Sequence, residues 1–154
     1  MKNFSLIICS LIFLLSSCHS QTNRQIIEET THKAIAALRN KNSTDFKNLI
    51  GVRNLRIIGK DDESIRYDVN RYNLLLNQAF NEAEEVPFNI SGLFNGMGQT
   101  VVRIKFPQSV ADSSGVKSLH LNIYFGPPQI VSLRKISGYE LIKDNSDSTE
   151  FKKQ

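Results

Sequence analysis

The chain has 154 residues, 40% of them hydrophobic and 22% charged, with a formal net charge of +4 at neutral pH. This length and apolar content suit one globular domain with a single core, and the weak, scattered positive charge gives no reason to expect a nucleic-acid partner. Both cysteines, Cys9 and Cys18, precede the region that is predicted to fold. The domain is therefore expected to contain neither a disulfide nor a thiol for catalysis or metal binding.

The N-terminal segment has the composition of an export signal. Lys2 is basic, residues 4–15 form an apolar run, and Ser16 and Ser17 are small, which are the three parts that secretory signals need. The apolar run is about a dozen residues long, whereas a helix that spans a bilayer needs roughly 20. Residues 1–17 are therefore predicted to be a signal peptide, and an ordinary secretory cleavage without lipid attachment is the main alternative.

The end of this segment, Leu15-Ser16-Ser17-Cys18, resembles the lipobox of bacterial lipoproteins. In that family the cysteine receives a diacylglycerol on its sulfur, becomes the first residue of the mature protein and is then acylated on its amine. The resemblance implies that lipid on Cys18 anchors the protein in a bacterial cell envelope, with residues 18–22 forming the lipidated cysteine and a short tether. In enteric lipoproteins an Asp after the cysteine is a retention signal. Because His19 stands there instead, the resemblance implies the outer membrane, with the domain facing the periplasm.

Two helices are predicted at the start of the domain. Thr22 and Gln25 have the spacing of a capping box, and the apolar residues that follow recur at helical spacing, so the first helix is predicted over residues 23–39. Ser43 is a residue that commonly caps a helix N-terminus, and Gly51 is one that commonly ends a helix. A short second helix is therefore predicted between them.

The next segment is predicted to form a small hairpin. Leu55–Ile58 is a branched apolar run, Gly59–Asp62 contains turn residues, and Ser64–Tyr67 is predicted as the return strand. A third helix is predicted from Val69 to Ala83, because apolar residues there return to helical spacing, and Pro87 closes it.

From Phe88 onward, apolar and polar residues alternate, which is typical of half-buried strands. The Asn95-Gly96 dipeptide suits a tight hairpin turn. The predicted strands cover residues 88–94, 101–106, 118–125 and 130–142, with a kink near Gly138, a loop over residues 108–115 and a disordered tail over residues 143–154.

This order of elements predicts a single α+β domain over residues 23–142, in which N-terminal helices pack on a curved antiparallel sheet of about four to six strands. The order resembles the NTF2-like and cystatin-like cone, in which a curved sheet wraps a long helix and often leaves a pocket between them. The resemblance lies in element order alone, so it assigns no role to any residue.

No residue pattern predicts a catalytic centre, a metal site or a cofactor. The three histidines, His19, His32 and His120, lack the spacing of metal ligands on a helix. The run from Asp61 to Glu63 lacks the alternating oxygen ligands of a calcium loop and is expected to be a charged turn before a helix. The sequence contains no Gly-x-Ser-x-Gly pattern of the kind that places a nucleophilic serine.

Tyr67, Asp68 and Tyr72 form a candidate pocket, because they are the polar groups beside the third predicted helix that can reach a cavity between helix and sheet. Such a pocket would suit the alternative function, an NTF2-like small-molecule-binding protein or an enzyme of the isomerase or dehydratase type. A buried Asp68 would favour the enzyme hypothesis, whereas a fully exposed Asp68 together with a filled cone would exclude it.

His120, Asn122 and Tyr124 share the polar face of one predicted strand, and Arg103 on a neighbouring strand can join them. This candidate polar face fits the leading hypothesis, a non-enzymatic binding or scaffold domain. Its expected partners are the membrane, through lipid on Cys18, and an envelope protein. An accessory subunit of an envelope assembly and an immunity-type protein that blocks a toxin both fit this description.

Overall fold

A computed structural model describes residues 22–92, 98–127 and 132–145 of the chain. Cys18, the predicted Asn95-Gly96 turn, the beginning of the last predicted strand and the tail beyond residue 145 lie outside these ranges. None of the helices within the ranges is both long enough and apolar enough to cross a membrane.

Five helices occur in the described ranges: α1 (Asn23–Arg39), α2 (Ser43–Leu49), α3 (Val52–Ile57), α4 (Asp62–Ala79) and α5 (Gln108–Ser113). The first has the predicted bounds, and its capping box is formed. The Thr22 hydroxyl accepts a hydrogen bond from the backbone N–H of Gln25 at 3.3 Å, and the Gln25 side chain accepts one from the backbone N–H of Thr22 at 2.8 Å. Asn42, one residue before the predicted Ser43, caps α2 by accepting from the backbone N–H of Asp45.

The predicted small hairpin is wrong, because most of both its predicted strands is helical, in α3 and α4. Asp61 caps α4 by accepting from the backbone N–H of Ser64 at 2.8 Å. The next two residues, Asp62 and Glu63, are acidic and suit the positive N-terminus of the helix. Gly59 has a φ of 63°, which a glycine adopts without strain, so the chain can turn sharply from α3 into α4.

The helix α4 ends at Ala79 rather than at Ala83. The guanidinium of Arg39, at the end of α1, donates hydrogen bonds to the carbonyl oxygens of Asn81 at 3.0 Å and Glu82 at 2.8 Å. The chain beyond α4 is therefore held against α1 instead of continuing the helix.

The described ranges contain one antiparallel sheet of four strands in the order β1-β2-β3-β4. The strands are β1 (Asn89–Ser91), β2 (Thr100–Lys105), β3 (Ser118–Phe125) and β4 (Gly138–Asp144). Helices that precede an open antiparallel sheet make an α+β domain, and this confirms the predicted fold class.

Two predicted boundaries in the second half differ from the structure. The segment predicted as a loop contains α5, whose Val110 and Ala111 are buried, so a short apolar face holds this helix against the core. The last strand begins at Gly138, because Ile136 forms a parallel bridge with Ile50 before the sheet pairing starts. It runs through Asp144, past the predicted start of the tail.

The inward face of the sheet is apolar and covered by the helices. The register pairs Ile104 with Leu121 and Leu121 with Leu141, so these side chains share one face. The inward side chains of β2 and β3 that contribute most to the core are Val102, Ile104, Leu119, Leu121, Ile123 and Phe125. The opposite face of the sheet carries the polar residues and is called the outer face below.

Candidate functional site

Asp68 lies on the buried side of α4 and is 6% exposed. Its Oδ2 accepts a hydrogen bond from Nζ of Lys60 at 2.8 Å and another from the hydroxyl of Tyr139 at 2.9 Å. Lys60 comes from the turn before α4 and Tyr139 from the inward face of β4, so this carboxylate links the helices to the sheet. We refer to Asp68, Lys60, Tyr139 and Tyr72 as the Asp68 cluster.

Aromatic rings pack around Tyr139, which donates to the Asp68 carboxylate. The Tyr139 ring meets Phe46 and Tyr72 edge to face, at centroid distances of 5.1 and 6.0 Å, and Nζ of Lys60 lies 6.0 Å from the Tyr139 ring centroid. Burial, and then the negative charge of Asp68, raises the pKa of both Tyr72 and Tyr139 above the ordinary tyrosine value. Both phenols therefore stay protonated, and Tyr139 acts as a donor to the carboxylate.

A surface cleft of about 540 Å³ lies over Asp68. Its lining comes from α4 and the turn before it: Lys60, Asp61, Glu63, Ser64, Tyr67, Asp68 and Arg71. The structure thus brings Tyr67 and Asp68 to one cleft, whereas Tyr72 is buried in the core and does not line it. The cleft opens on the helical surface and does not lie between helix and sheet, because the inward residues of β2 and β3, which are apolar except for Thr100, are buried.

The Asp68 carboxylate is already engaged in this arrangement. Lys60 neutralises its charge and Tyr139 donates to the same oxygen, and both partners would have to be displaced for that oxygen to take a proton from a ligand. Lys60 and Tyr139 lie eight residues before and 71 residues after Asp68 in the sequence. No periodicity or motif indicates these contacts, and sequence reasoning missed both partners.

The outer face of the sheet brings Arg103, Asn122 and Tyr124 together. Nε of Arg103 donates to Oδ1 of Asn122 at 3.1 Å, and Nδ2 of Asn122 donates to the Tyr124 hydroxyl at 3.1 Å. The Tyr124 hydroxyl in turn donates to the carboxylate of Glu140. This outer-face network joins β2, β3 and β4, because Asn122 pairs with Arg103 on one side and with Glu140 on the other.

Asn122 is only 4% exposed although it lies on the polar face, since its neighbours cover it and satisfy its amide. Burial, together with the hydrogen bond to Glu140, raises the pKa of Tyr124, so its hydroxyl remains a donor. Glu140 was missed from the sequence. The alternation of Gly138, Glu140 and Ile142 along the last strand is the pattern that could have placed it on this face.

His120 lies beside this network without joining it. Its Nε2 is 3.3 Å from the Ser118 hydroxyl oxygen, and its Nδ1 is buried without a hydrogen-bond partner among the described residues. Burial lowers the pKa of His120, and the positive charges of Arg103 and Lys105 lower it further, against an opposing effect from Asp144. The imidazole is therefore neutral at neutral pH, with one nitrogen unsatisfied.

The described ranges contain no group of three or more His, Cys, Asp or Glu side chains that could hold a metal ion. In the acidic run from Asp61 to Glu63, Asp61 instead caps α4, and the other two residues lie in its first turn. No protein-family model matches the chain, and no curated protein or solved structure shows significant similarity to it.

Proposed function

We propose that this chain is a bacterial lipoprotein, anchored in the cell envelope through lipid on Cys18, and that its domain works by binding a protein partner rather than by catalysis. The observation that carries the proposal is the Leu15-Ser16-Ser17-Cys18 segment, which stands immediately ahead of a folded domain. The first helix of that domain is capped at Thr22, so His19, Ser20 and Gln21 alone separate it from Cys18. Two or more acyl chains on one cysteine give stable membrane attachment.

A membrane tether supports a binding function, because binding does not need a catalytic group. A domain confined to a membrane meets partners in the same layer at a raised effective concentration, so a modest interface is sufficient for association. The inward positions of β2 and β3 support binding over catalysis, because they are apolar except for Thr100. The buried carboxylate of Asp68 is already held by Lys60 and Tyr139.

The outer face of the sheet is the surface that we assign to the protein partner. Hydrogen bonds hold Arg103, Asn122, Tyr124 and Glu140 in one arrangement before any partner arrives. A preorganised surface loses less side-chain entropy on binding than a mobile one. Arg103 and Glu140 are exposed and carry opposite charges, so they can orient a partner of matching charge pattern.

A second candidate function is an NTF2-like small-molecule-binding protein or an isomerase or dehydratase-type enzyme. The observation that favours it is the burial of Asp68 at the floor of the 540 Å³ cleft. This candidate predicts that a small molecule raises the melting temperature of the protein and that Asp68→Asn abolishes the shift while the protein still folds. A cleft that serves structure alone predicts no ligand-dependent shift in either protein.

The anchor is tested by exchanging each cysteine separately for serine. Cys18→Ser is expected to abolish incorporation of labelled fatty acid and to move the protein out of the membrane fraction, or to leave it as an unprocessed precursor. Cys9→Ser is the matched control, because Cys9 lies within the predicted signal peptide. It is expected to change neither the fatty-acid labelling nor the membrane fractionation. Retention of the fatty-acid label by Cys18→Ser would contradict the proposal.

The partner surface is tested by photo-crosslinking in intact cells. Val101 pairs with Tyr124 across β2 and β3 and so lies on the outer face, whereas Ala36 is exposed on α1. A crosslinker at position 101 is expected to capture a protein of one reproducible mass, and Arg103→Glu is expected to remove that product. Arg24→Glu makes the same charge change on α1 and should leave the crosslinked product unchanged. Equal capture from positions 101 and 36 would contradict this assignment.

A further inference from the structure

The large apolar side chains that are exposed in the described ranges all lie on α3 and α4. Val52 is 79% exposed, Ile57 71%, Tyr67 66% and Leu74 59%. Single exposed apolar residues are normal on protein surfaces, so their arrangement on each helix decides whether they form an interaction surface.

The helix α3 presents both of its exposed apolar residues on the same side as two arginines. At 100° per residue, Val52, Arg53, Arg56 and Ile57 fall within an arc of about 140°, and all four are exposed. We call these four residues the α3 face. Outside this arc, Nδ2 of the buried Asn54 donates to the carbonyl oxygen of Ile136 at 3.1 Å. This contact fixes the rotation of α3, so the α3 face cannot turn into the core.

No carboxylate of the described ranges neutralises the positive charge of the α3 face. The sequence contains no acidic residue between Asp45 and Asp61. Neither Arg53 nor Arg56 forms a hydrogen bond or an ion pair in the described structure. Other cations of the helical layer do pair with carboxylates: Arg24 with Glu28, Lys33 with Glu29, Lys47 with Asp62 and Lys60 with Asp68.

The cleft beside α4 adds an aromatic ring to the helical surface but no net positive charge. Tyr67 lines it together with two cations and three carboxylates: Lys60, Arg71, Asp61, Glu63 and Asp68. The net positive charge of this surface is therefore that of the α3 face. Because α4 buries Val69 and Leu76, its exposed Tyr67 points away from the sheet. The outer face of the sheet is thus on the other side of the domain.

We propose that the α3 face docks on an anionic bilayer surface, with Val52 and Ile57 inserted among the lipid headgroups and Arg53 and Arg56 bound to their phosphates. Short amphipathic helices that combine apolar and basic residues lie in the membrane interface in this way, and the guanidinium fork matches phosphate oxygens. This inference deepens the proposed function and rests on it for the tether, because the segment from Cys18 to Thr22 spans at most about 14 Å. The domain then stays within reach of the headgroups, and the outer face remains open to a protein partner.

The test uses the full chain, purified from membranes and reconstituted into vesicles of phosphatidylcholine, with or without about one quarter phosphatidylglycerol as the anionic lipid. Ile57→Cys carries an environment-sensitive fluorophore, and Lys105→Cys, on the outer face, is the matched control site. The label at position 57 is expected to shift to shorter wavelength and to be quenched by nitroxide lipids in the anionic vesicles. The label at position 105 is expected to do neither. A label at position 57 that stays in water in both kinds of vesicle would overturn the inference.

Charge variants test the part assigned to the arginines. Replacing Arg53 and Arg56 together by Gln is expected to lower the ratio of docked to undocked domain about 30-fold, from the usual contribution of a basic residue near an anionic surface. Replacing Lys105 and Lys143 by Gln makes the same change in net charge elsewhere and should alter the ratio less than about twofold. Equal effects of the two pairs would overturn the inference in favour of nonspecific charge attraction.

Two further outcomes separate this inference from its alternatives. If the α3 face binds an acidic protein instead, the label at position 57 is shielded in native membranes but not in the vesicles, and the lipid assignment is wrong. If Cys18 is not lipidated, the chain without an added cysteine takes up the fluorophore. That result contradicts the anchor, while the comparison of positions 57 and 105 with added vesicles still decides the docking.

Discussion

Tyr139→Phe isolates one hydrogen bond of the Asp68 cluster, because it removes the hydroxyl and keeps the ring between Phe46 and Tyr72. The hydroxyl oxygen lies 2.9 Å from Oδ2 of Asp68, and a hydrogen bond to a charged acceptor contributes about 1.5–3 kcal/mol. Lys60 remains 2.8 Å from the same oxygen, so the carboxylate keeps one partner and the larger penalty of an unpaired buried charge is avoided. We expect the free energy of unfolding to fall by about 2 kcal/mol, with a melting temperature lower by roughly 6–10 °C.

The assay is urea denaturation of the purified protein followed by circular dichroism. The midpoint should fall while the slope m stays constant, since the surface exposed on unfolding does not change. Tyr67→Phe is the matched control, because Tyr67 is 66% exposed and its hydroxyl has no hydrogen-bond partner among the described residues. Water solvates that hydroxyl in the folded and the unfolded chain alike, so we expect this control to lose less than about 0.5 kcal/mol.

Two results would refute this account of the cluster. One is a loss of stability for Tyr139→Phe that is no larger than that of Tyr67→Phe. The other comes from a double-mutant cycle of Tyr139→Phe with Asp68→Asn, in which residues that share a hydrogen bond should be coupled by at least about 0.5 kcal/mol. Strictly additive losses would mean that the hydroxyl does not act through the carboxylate.

Three further predictions concern the elements that position these surfaces. Asn54→Ala removes the bond to the Ile136 carbonyl and is expected to cost about 1–2 kcal/mol in urea denaturation, and an unchanged midpoint would show that α3 is held otherwise. Thr22→Ala removes the capping box of α1 and is expected to cost about 1 kcal/mol, whereas Thr44→Ala, at an exposed position in the first turn of α2, should cost clearly less. His120 has a lowered pKa, so below its ordinary value of about 6.5 the unfolded chain binds the proton more readily than the folded one, and stability falls as the pH falls. His120→Gln is therefore expected to reduce the loss of stability between about pH 7.5 and about pH 5.5, and an identical loss in both proteins would contradict the burial of this imidazole.

Local signals predicted the elements whose stability is decided locally. The capping box of Thr22 and Gln25 defined the start of α1, and strict alternation defined the third strand over residues 118–125. The hairpin failed because a short branched apolar run such as Leu55–Ile58 fits a strand and a short helix equally well. In the structure the segment is helical, and Asn54 connects it to Ile136, which lies 82 residues away.

The two candidate sites also differ in how far local sequence signals could predict them. The outer face could be assembled from alternation and strand order, because sheet register alone brings Arg103 beside Asn122. The surroundings of Asp68 could not, because Tyr139 reaches it only after the sheet has packed against the helices. The exposed side of α3 was also missed, since a segment predicted as a strand gives no reason to place Val52 and Ile57 on one helical face.

The proposal that a lipid on Cys18 anchors this domain in its membrane is central. It is tested most directly by intact-mass and peptide mass spectrometry of the protein purified from its native membranes. The account predicts that the protein begins at Cys18 and that its N-terminal peptide carries the mass of a diacylglycerol thioether, with or without a further acyl chain on the amine. An unmodified Cys18, or a chain that still carries residues 1–17, would contradict it.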